Sequence, residues 1–182
     1  GGRFGPVTRG PESWSRGESV RAFALDSFPS AWPAWRPKTR IVNLDGTIAA
    51  VLALTDAPVS SAHSALLRPW LHEALAPAGA PAALPSDVRR AVDWLHAHSL
   101  PLSSVNAGHV RAAYTSFTRN LDGSEAMVNT FTKRRSGVTR LLGAAAEQNL
   151  IPANPASGIR LARRKKTKTA VMVSEIPTVL EA

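Results

Sequence analysis

SEAMVNTFTKRRSGVTRLLGAAAEQNLIPANPASGIRLARRKKTK, residues 124–168, is the stretch on which the fold turns. Its first two thirds have the pattern of one long amphipathic helix, and its last third that of a basic strap. Ser124 is a suitable N-cap, with Glu125 in the first turn where the helix dipole favours an anion. No proline interrupts the segment before Pro152. Met127, Phe131, Val138, Leu141, Leu142 and Ala145 recur at helical spacing on one face. Asn129, Lys133, Ser136, Arg140 and Glu147 fall on the opposite face. Arg134 and Arg135 flank the apolar stripe, where their stems can lie along the core edge with the charged heads in water. Pro152 and Pro155 make continuation of the helix costly.

Charge is concentrated in the same stretch. The 182-residue chain carries 22 Lys and Arg against 13 Asp and Glu, a net charge of +9. Ten of the basic residues lie between Lys133 and Lys168: Lys133, Arg134, Arg135, Arg140, Arg160, Arg163, Arg164, Lys165, Lys166 and Lys168. The only acid among them is Glu147, so the rest of the chain is electrically balanced. Excess charge dispersed over a surface serves solubility, whereas excess charge confined to one helix and its tail is the footprint of a phosphate-binding surface.

Outward from this stretch, the chain reads as helices joined by short loops. Residues 1–18 are rich in Gly, Pro, Ser and Arg and are expected to be loosely ordered. A short helix is expected over about 18–28, then an extended Pro/Trp segment laid across the body through Trp32 and Trp35, whose role is packing. A helix follows Pro37 to about Leu54, with Ile41, Leu44, Ile48, Val51 and Leu52 on its apolar side and Gly46 weakening its middle by about 1 kcal/mol relative to Ala. Lys38 and Arg40 sit in its first turn, against the dipole, where a bound phosphate would neutralise them. Further helices are expected over 60–75, with Pro69 inside, over 86–98, with Ser86 as N-cap, and over 108–119. Asp122-Gly123 marks a turn before the basic helix. No strand pattern or internal repeat occurs. The expected fold is an all-α bundle of four or five helices, with an irregular N-terminal segment and a basic C-terminal strap.

With 44% hydrophobic residues the composition is that of a globular domain with a core. The absence of cysteine excludes disulfides, thiolate metal sites and a cysteine nucleophile. No apolar run reaches the roughly 20 residues of a membrane span and no secretory signal is visible, so the chain is expected to be cytoplasmic. His96 and His98, two apart on a helix, point to different sides, a poor geometry for one metal. His72-Glu73 begins like a zinc-protease motif, but Ala76 stands where the second histidine belongs. Tyr114, the single tyrosine, falls in the apolar pattern and is expected in the core. No cofactor, metal or small-molecule substrate is expected.

The order of the motifs resembles the core-binding, SAM-like domain of tyrosine recombinases, the phage integrase family. The residues that carry the likeness are Arg36-Pro-Lys-Thr-Arg40 before a helix, Asn129-Thr-Phe-Thr-Lys-Arg-Arg-Ser136, and Asn149-Leu-Ile-Pro-Ala-Asn-Pro155. In that family a long helix with a Thr-x-x-x-(Lys/Arg)-Arg segment ends in Gly-Leu-Ile-x-x-Asn-Pro, and a basic linker leads to a catalytic domain. Asn149 replaces the usual Gly, a change that left-handed backbone tolerates. The likeness spans about 37–168, with an Ala/Pro-rich insertion around 56–85. It implies a division into an N-terminal segment (1–36), a helical DNA-binding domain (37–160), and a linker with the start of a further domain (161–182). It also implies that Lys38, Arg40, Asn129, Lys133, Arg134, Arg135 and Arg140 face duplex DNA, with Arg160, Arg163, Arg164, Lys165, Lys166 and Lys168 crossing its backbone. Self-association on the DNA is a further expectation.

The family's chemistry depends on a tyrosine nucleophile, two arginines and a His-x-x-Arg segment in the domain that follows. This sequence has no His-x-x-Arg. The chain is accordingly expected to be a catalytically incomplete fragment or remnant, with both ends as cut points. Two other classes stay open: a helical interaction protein whose strap binds an acidic protein or a membrane surface, and a small helical enzyme whose site no motif marks.

Overall fold

The computed structural model describes residues 17–159. Six α-helices follow in order: α1 (Val20–Ala31), α2 (Pro37–Ala53), α3 (Ser61–Ala74), α4 (Ser86–His98), α5 (Ala107–Ser116) and α6 (Val128–Glu147). Short 3-10 turns occupy Trp32–Ala34 and Leu102–Ser104. Among the described residues there is no strand, only three isolated bridges, Ser19 with Pro101, Thr55 with Ser99, and Arg119 with Glu125. None of the described helices is long and apolar enough to cross a membrane.

Local chemistry starts most of these helices. The Ser19 and Ser60 hydroxyls accept from the amides of Ala22 (3.2 Å) and His63 (3.1 Å). Asn106 heads α5 in a reciprocal cap: its side chain accepts from Gly108 and His109, and its own amide donates to the His109 ring. Pro37 opens α2 at the first helical position, where its missing N–H has no partner to lose.

Helix α2 runs through the centre of the molecule. From Asn43 to Leu52 every residue except Asp45 is buried. Its main partner is α6, which buries Gly137, Val138, Leu141, Leu142 and Ala145 against the same core. The two backbones meet at Gly46 and Gly137. A Cβ on Gly46 would lie 2.9 Å from the Lys133 carbonyl and 3.1 Å from the Gly137 Cα. A Cβ on Gly137 would collide with the Gly46 carbonyl. Gly46 is therefore not the weak point the sequence suggests; its missing side chain is what lets the helices close.

Several sequence expectations are corrected. The bundle has six helices rather than four or five, because α1 belongs to the body: Val20, Phe23, Ala24 and Phe28 are buried in the common core. The helix expected over about 18–28 is present and runs three residues further, to Ala31. Helix α1 continues through Pro29, and the Pro/Trp segment forms a turn rather than an extended strap. Trp32 and Trp35 pack edge-on against Phe28, with ring centroids 5.9 and 5.1 Å away. Ser86 is the first residue of α4 and not its cap, since Pro85 holds that place.

Ser124 does not cap α6. Its amide and hydroxyl both donate to Asp122 Oδ1, at 2.9 and 2.6 Å. The segment then pairs backwards, with the Asn120 amide on the Ser124 carbonyl and the Ala126 amide on the Thr118 carbonyl. This local turn consumes the groups a cap would need, and α6 starts only after Met127, three residues later than Ser124 would start it. Met127 is 75% exposed instead of lining the core.

The end of α6 follows expectation more closely. Asn149 takes a positive φ of 60°. The amides of Leu150 and Asn149 bond back to the carbonyls of Ala145 and Ala146, closing the helix in a Schellman motif.

Candidate nucleic-acid interface

After that closure the chain doubles back along α6. Ile151, Ala156 and Ile159 are buried. The Asn154 amide group donates to the Thr139 carbonyl at 2.9 Å, and its oxygen accepts from the Ala156 amide at 2.9 Å. Further on, Arg135 Nη2 reaches the Ile159 carbonyl at 3.3 Å. Successive tail residues thus meet successively earlier parts of the helix, and residue 159 lies beside Arg135 in its first half. The Asn154-Pro155 motif holds this return in place.

The sequence-selected cations divide into two groups. Lys38, Asn129 and Lys133 are exposed. The arginines are half-buried and mostly engaged. Arg40 donates through Nε to the Trp32 carbonyl (3.1 Å) and stacks its guanidinium 5.6 Å from the Trp32 ring centre. It therefore needs no phosphate to offset its place in the first turn of α2. Arg134 spreads over the end of α5: Nη1 donates to the carbonyls of Phe117 (3.4 Å) and Arg119 (3.0 Å), and Nη2 to Asn120 Oδ1 (3.2 Å). It caps carbonyls that the helix leaves unpaired. Arg135 lies 5.6 Å over the ring of Tyr114, whose hydroxyl shares a hydrogen bond with Thr139 (3.1 Å). Tyr114 itself is core, 1% exposed.

Arg140, expected on the outer face, is half-buried, and its Nη1 has no hydrogen-bond partner among the described residues. Burial lowers the pKa of Arg134 and Arg140 from the usual guanidinium range. An arginine still stays charged at neutral pH, so the consequence is a poorly hydrated cation rather than a neutral one. Arg160, Arg163, Arg164, Lys165, Lys166 and Lys168 lie outside the described residues.

Two arginines that the sequence reading passed over complete a separate feature. Arg68 of α3 and Arg119 join Arg134 in lining a cleft of about 480 Å³ between the end of α2, the loop after it, α3 and α5. Arg68 lies one helical turn beyond buried Ser64 and donates to its hydroxyl at 3.2 Å. An arginine four residues after a serine, beside the apolar Leu67 on one helix, was the signal available in the sequence. Its neighbours in the cleft come from distant segments and leave no local pattern.

His96 and His98 serve different partners. His96 Nδ1 lies 3.4 Å from Arg21 Nη1, while His98 Nδ1 pairs with Asp56 at 2.7 Å. Among the described residues no group of three or more His, Asp or Glu side chains converges as a metal site. No protein-family model, curated protein or solved structure matches the chain.

Proposed function

We propose that this chain is a duplex-DNA-binding module, of the kind that the core-binding domain of a tyrosine recombinase provides. The observation that carries the reading is the returning tail. Its last described residue, Ile159, lies against Arg135, so the six basic residues from Arg160 to Lys168 follow in sequence from a point beside the first half of α6, the half that also exposes Asn129 and Lys133. Cations on the first half of one helix and a strap that starts beside that half can meet neighbouring phosphates. The same charges spread over the surface could not.

In this reading Lys133 and Lys38 make outward phosphate contacts, and Asn129 is the exposed amide able to reach a base edge. Arg40, Arg134 and Arg135 act chiefly by holding the surface in shape. Strand cleavage is not assigned to this chain, and any site-specific recombination would need catalytic groups from a further domain.

The test is duplex-DNA affinity across a salt series. Each phosphate contact contributes about 0.9 to the slope of log K against log salt. Lys133→Ala is expected to flatten that slope by about 1 and to weaken binding for all sequences alike. Absence of salt-dependent binding to any duplex would sink the proposal. Retained affinity for an acidic protein or for anionic vesicles in that case would favour the rival reading of the strap.

A further inference from the structure

The cleft beside α3 and α5 is built unlike the rest of the surface. Three arginines, Arg68, Arg119 and Arg134, line it against one carboxylate, Asp56, and that carboxylate is already paired with His98. Among the described residues no ion pair joins any of the three guanidinium groups to a carboxylate. Two of them are partly spent on main-chain carbonyls: Arg134 on the end of α5, and Arg119 on Gly123 at 3.0 Å. Arg68 differs. Its Nε is fixed by Ser64, and its two terminal amino groups have no partner among the described residues.

Its fork is therefore oriented but open, the state in which a guanidinium takes an oxyanion through two parallel hydrogen bonds. Burial, and secondarily the charge of Arg134, lower the Arg68 pKa, while Asp45 opposes them. The cation is poorly compensated where it stands.

The remaining walls are largely apolar. Leu52 and Phe117 are buried at the cleft, and Leu121 is 59% exposed at its edge. A volume near 480 Å³ lies within the usual range of small-molecule sites, about 300–1,000 Å³. A bare inorganic ion would leave the apolar walls uncovered.

We propose that this cleft binds a small organic anion, its carboxylate or phosphate head gripped by Arg68 in the field of Arg119 and Arg134, and its apolar body against Phe117, Leu121 and Leu52. The site is independent of the DNA reading, and no reaction is assigned to it.

The test is titration of the full chain with phenyl phosphate, benzoate and inorganic phosphate, followed by the amide resonances of Ser116, Phe117 and Leu121. Phenyl phosphate is expected to bind saturably at about millimolar Kd or tighter. Inorganic phosphate should bind at least about threefold more weakly, because it leaves the apolar walls uncovered. Benzoate against phenyl phosphate separates a carboxylate site from a phosphate site. Arg68→Gln should weaken binding about tenfold or more. Ala112→Phe, at an exposed position on the rim, should block the cleft while leaving all three arginines, so it decides the question even if Arg68→Gln fails to fold.

Neither change should alter DNA affinity at fixed salt. Three outcomes overturn the proposal. They are the absence of a saturable shift from either organic anion, unchanged binding in Ala112→Phe, and competition by duplex DNA, which would make the cleft part of the DNA surface.

Discussion

Arg134 illustrates how a residue chosen for its charge can be used for its hydrogen bonds. Three acceptors at the end of α5 and the turn after it converge on its guanidinium. Removing it leaves the Phe117 and Arg119 carbonyls without this donor. Hydrogen bonds to charged groups are worth about 1.5–3 kcal/mol, and partial exposure puts this site at the low end, so Arg134→Ala is expected to cost about 1–2 kcal/mol in a urea titration. Its effect on the DNA salt slope should be small beside that of Lys133→Ala. Equal effects on the slope would show that Arg134 also reaches phosphate. Glu18 makes the opposite case, a charge placed at a cost. Its Oε2 is buried without a hydrogen-bond partner among the described residues, and burial, reinforced by Asp26, raises its pKa above the ordinary carboxylate value. As pH rises past about 4.5, the folded state holds a proton that the unfolded state releases, so Glu18 lowers stability there. Glu18→Gln should therefore raise Tm at pH 7, with the gain fading as pH falls below that range. A gain that is the same at both pH values would mean the effect is packing and not charge.

At the scale of elements, the α2–α6 contact is the feature on which the others depend, and two glycines of one helix make its test. Gly137 has no room for a methyl group against the Gly46 carbonyl. Gly137→Ala must push the helices apart, with a cost of about 1–3 kcal/mol or more. Gly143, two turns further along α6, has only Asn154 Nδ2 at 3.4 Å from a built Cβ, which is ordinary contact. Gly143→Ala should follow helix propensity instead and stabilise by up to about 1 kcal/mol. Urea midpoints that shift in the same direction for both would remove the close-packing argument. The contrast also shows what periodicity can and cannot reveal. The apolar stripe of α6 marks Val138, Leu141, Leu142 and Ala145 correctly, and the bounds of α2, α3 and α4 lie within a residue or two of their sequence positions. Propensity counts Gly46 as a defect because the partner that needs its bare backbone lies some ninety residues away. Ser124 misleads for a nearer reason. Asp122 competes for the same amide and hydroxyl and wins by proximity, a choice no single-residue cap preference encodes.

For the whole molecule, what matters is where the excess charge is delivered. The count of cations in 133–168 was legible in the sequence, but their division was not: an arginine facing a carbonyl and one facing water look alike until the neighbouring helix is present. The return of the tail was half legible. Asn149 announced the left-handed turn, yet the contact that fixes the path afterwards, Asn154 on Thr139, joins residues that no periodicity pairs. That contact allows anchoring to be separated from charge. Asn154→Ala removes both the bond to the Thr139 carbonyl and the one from the Ala156 amide, while leaving every cation in place. If the tail presents the strap beside the first half of α6, its release makes DNA binding order the tail at an entropic cost, while the number of phosphates met stays the same. The salt slope should then be preserved and the line displaced to weaker affinity at every salt concentration, by about three- to tenfold, equivalent to the roughly 1 kcal/mol of a lost hydrogen bond. Lys133→Ala should instead change the slope. An unshifted line for Asn154→Ala, in a protein shown by its Tm to have lost the anchor, would mean that the strap finds DNA without help from the fold, and that its origin beside Arg135 contributes nothing to binding.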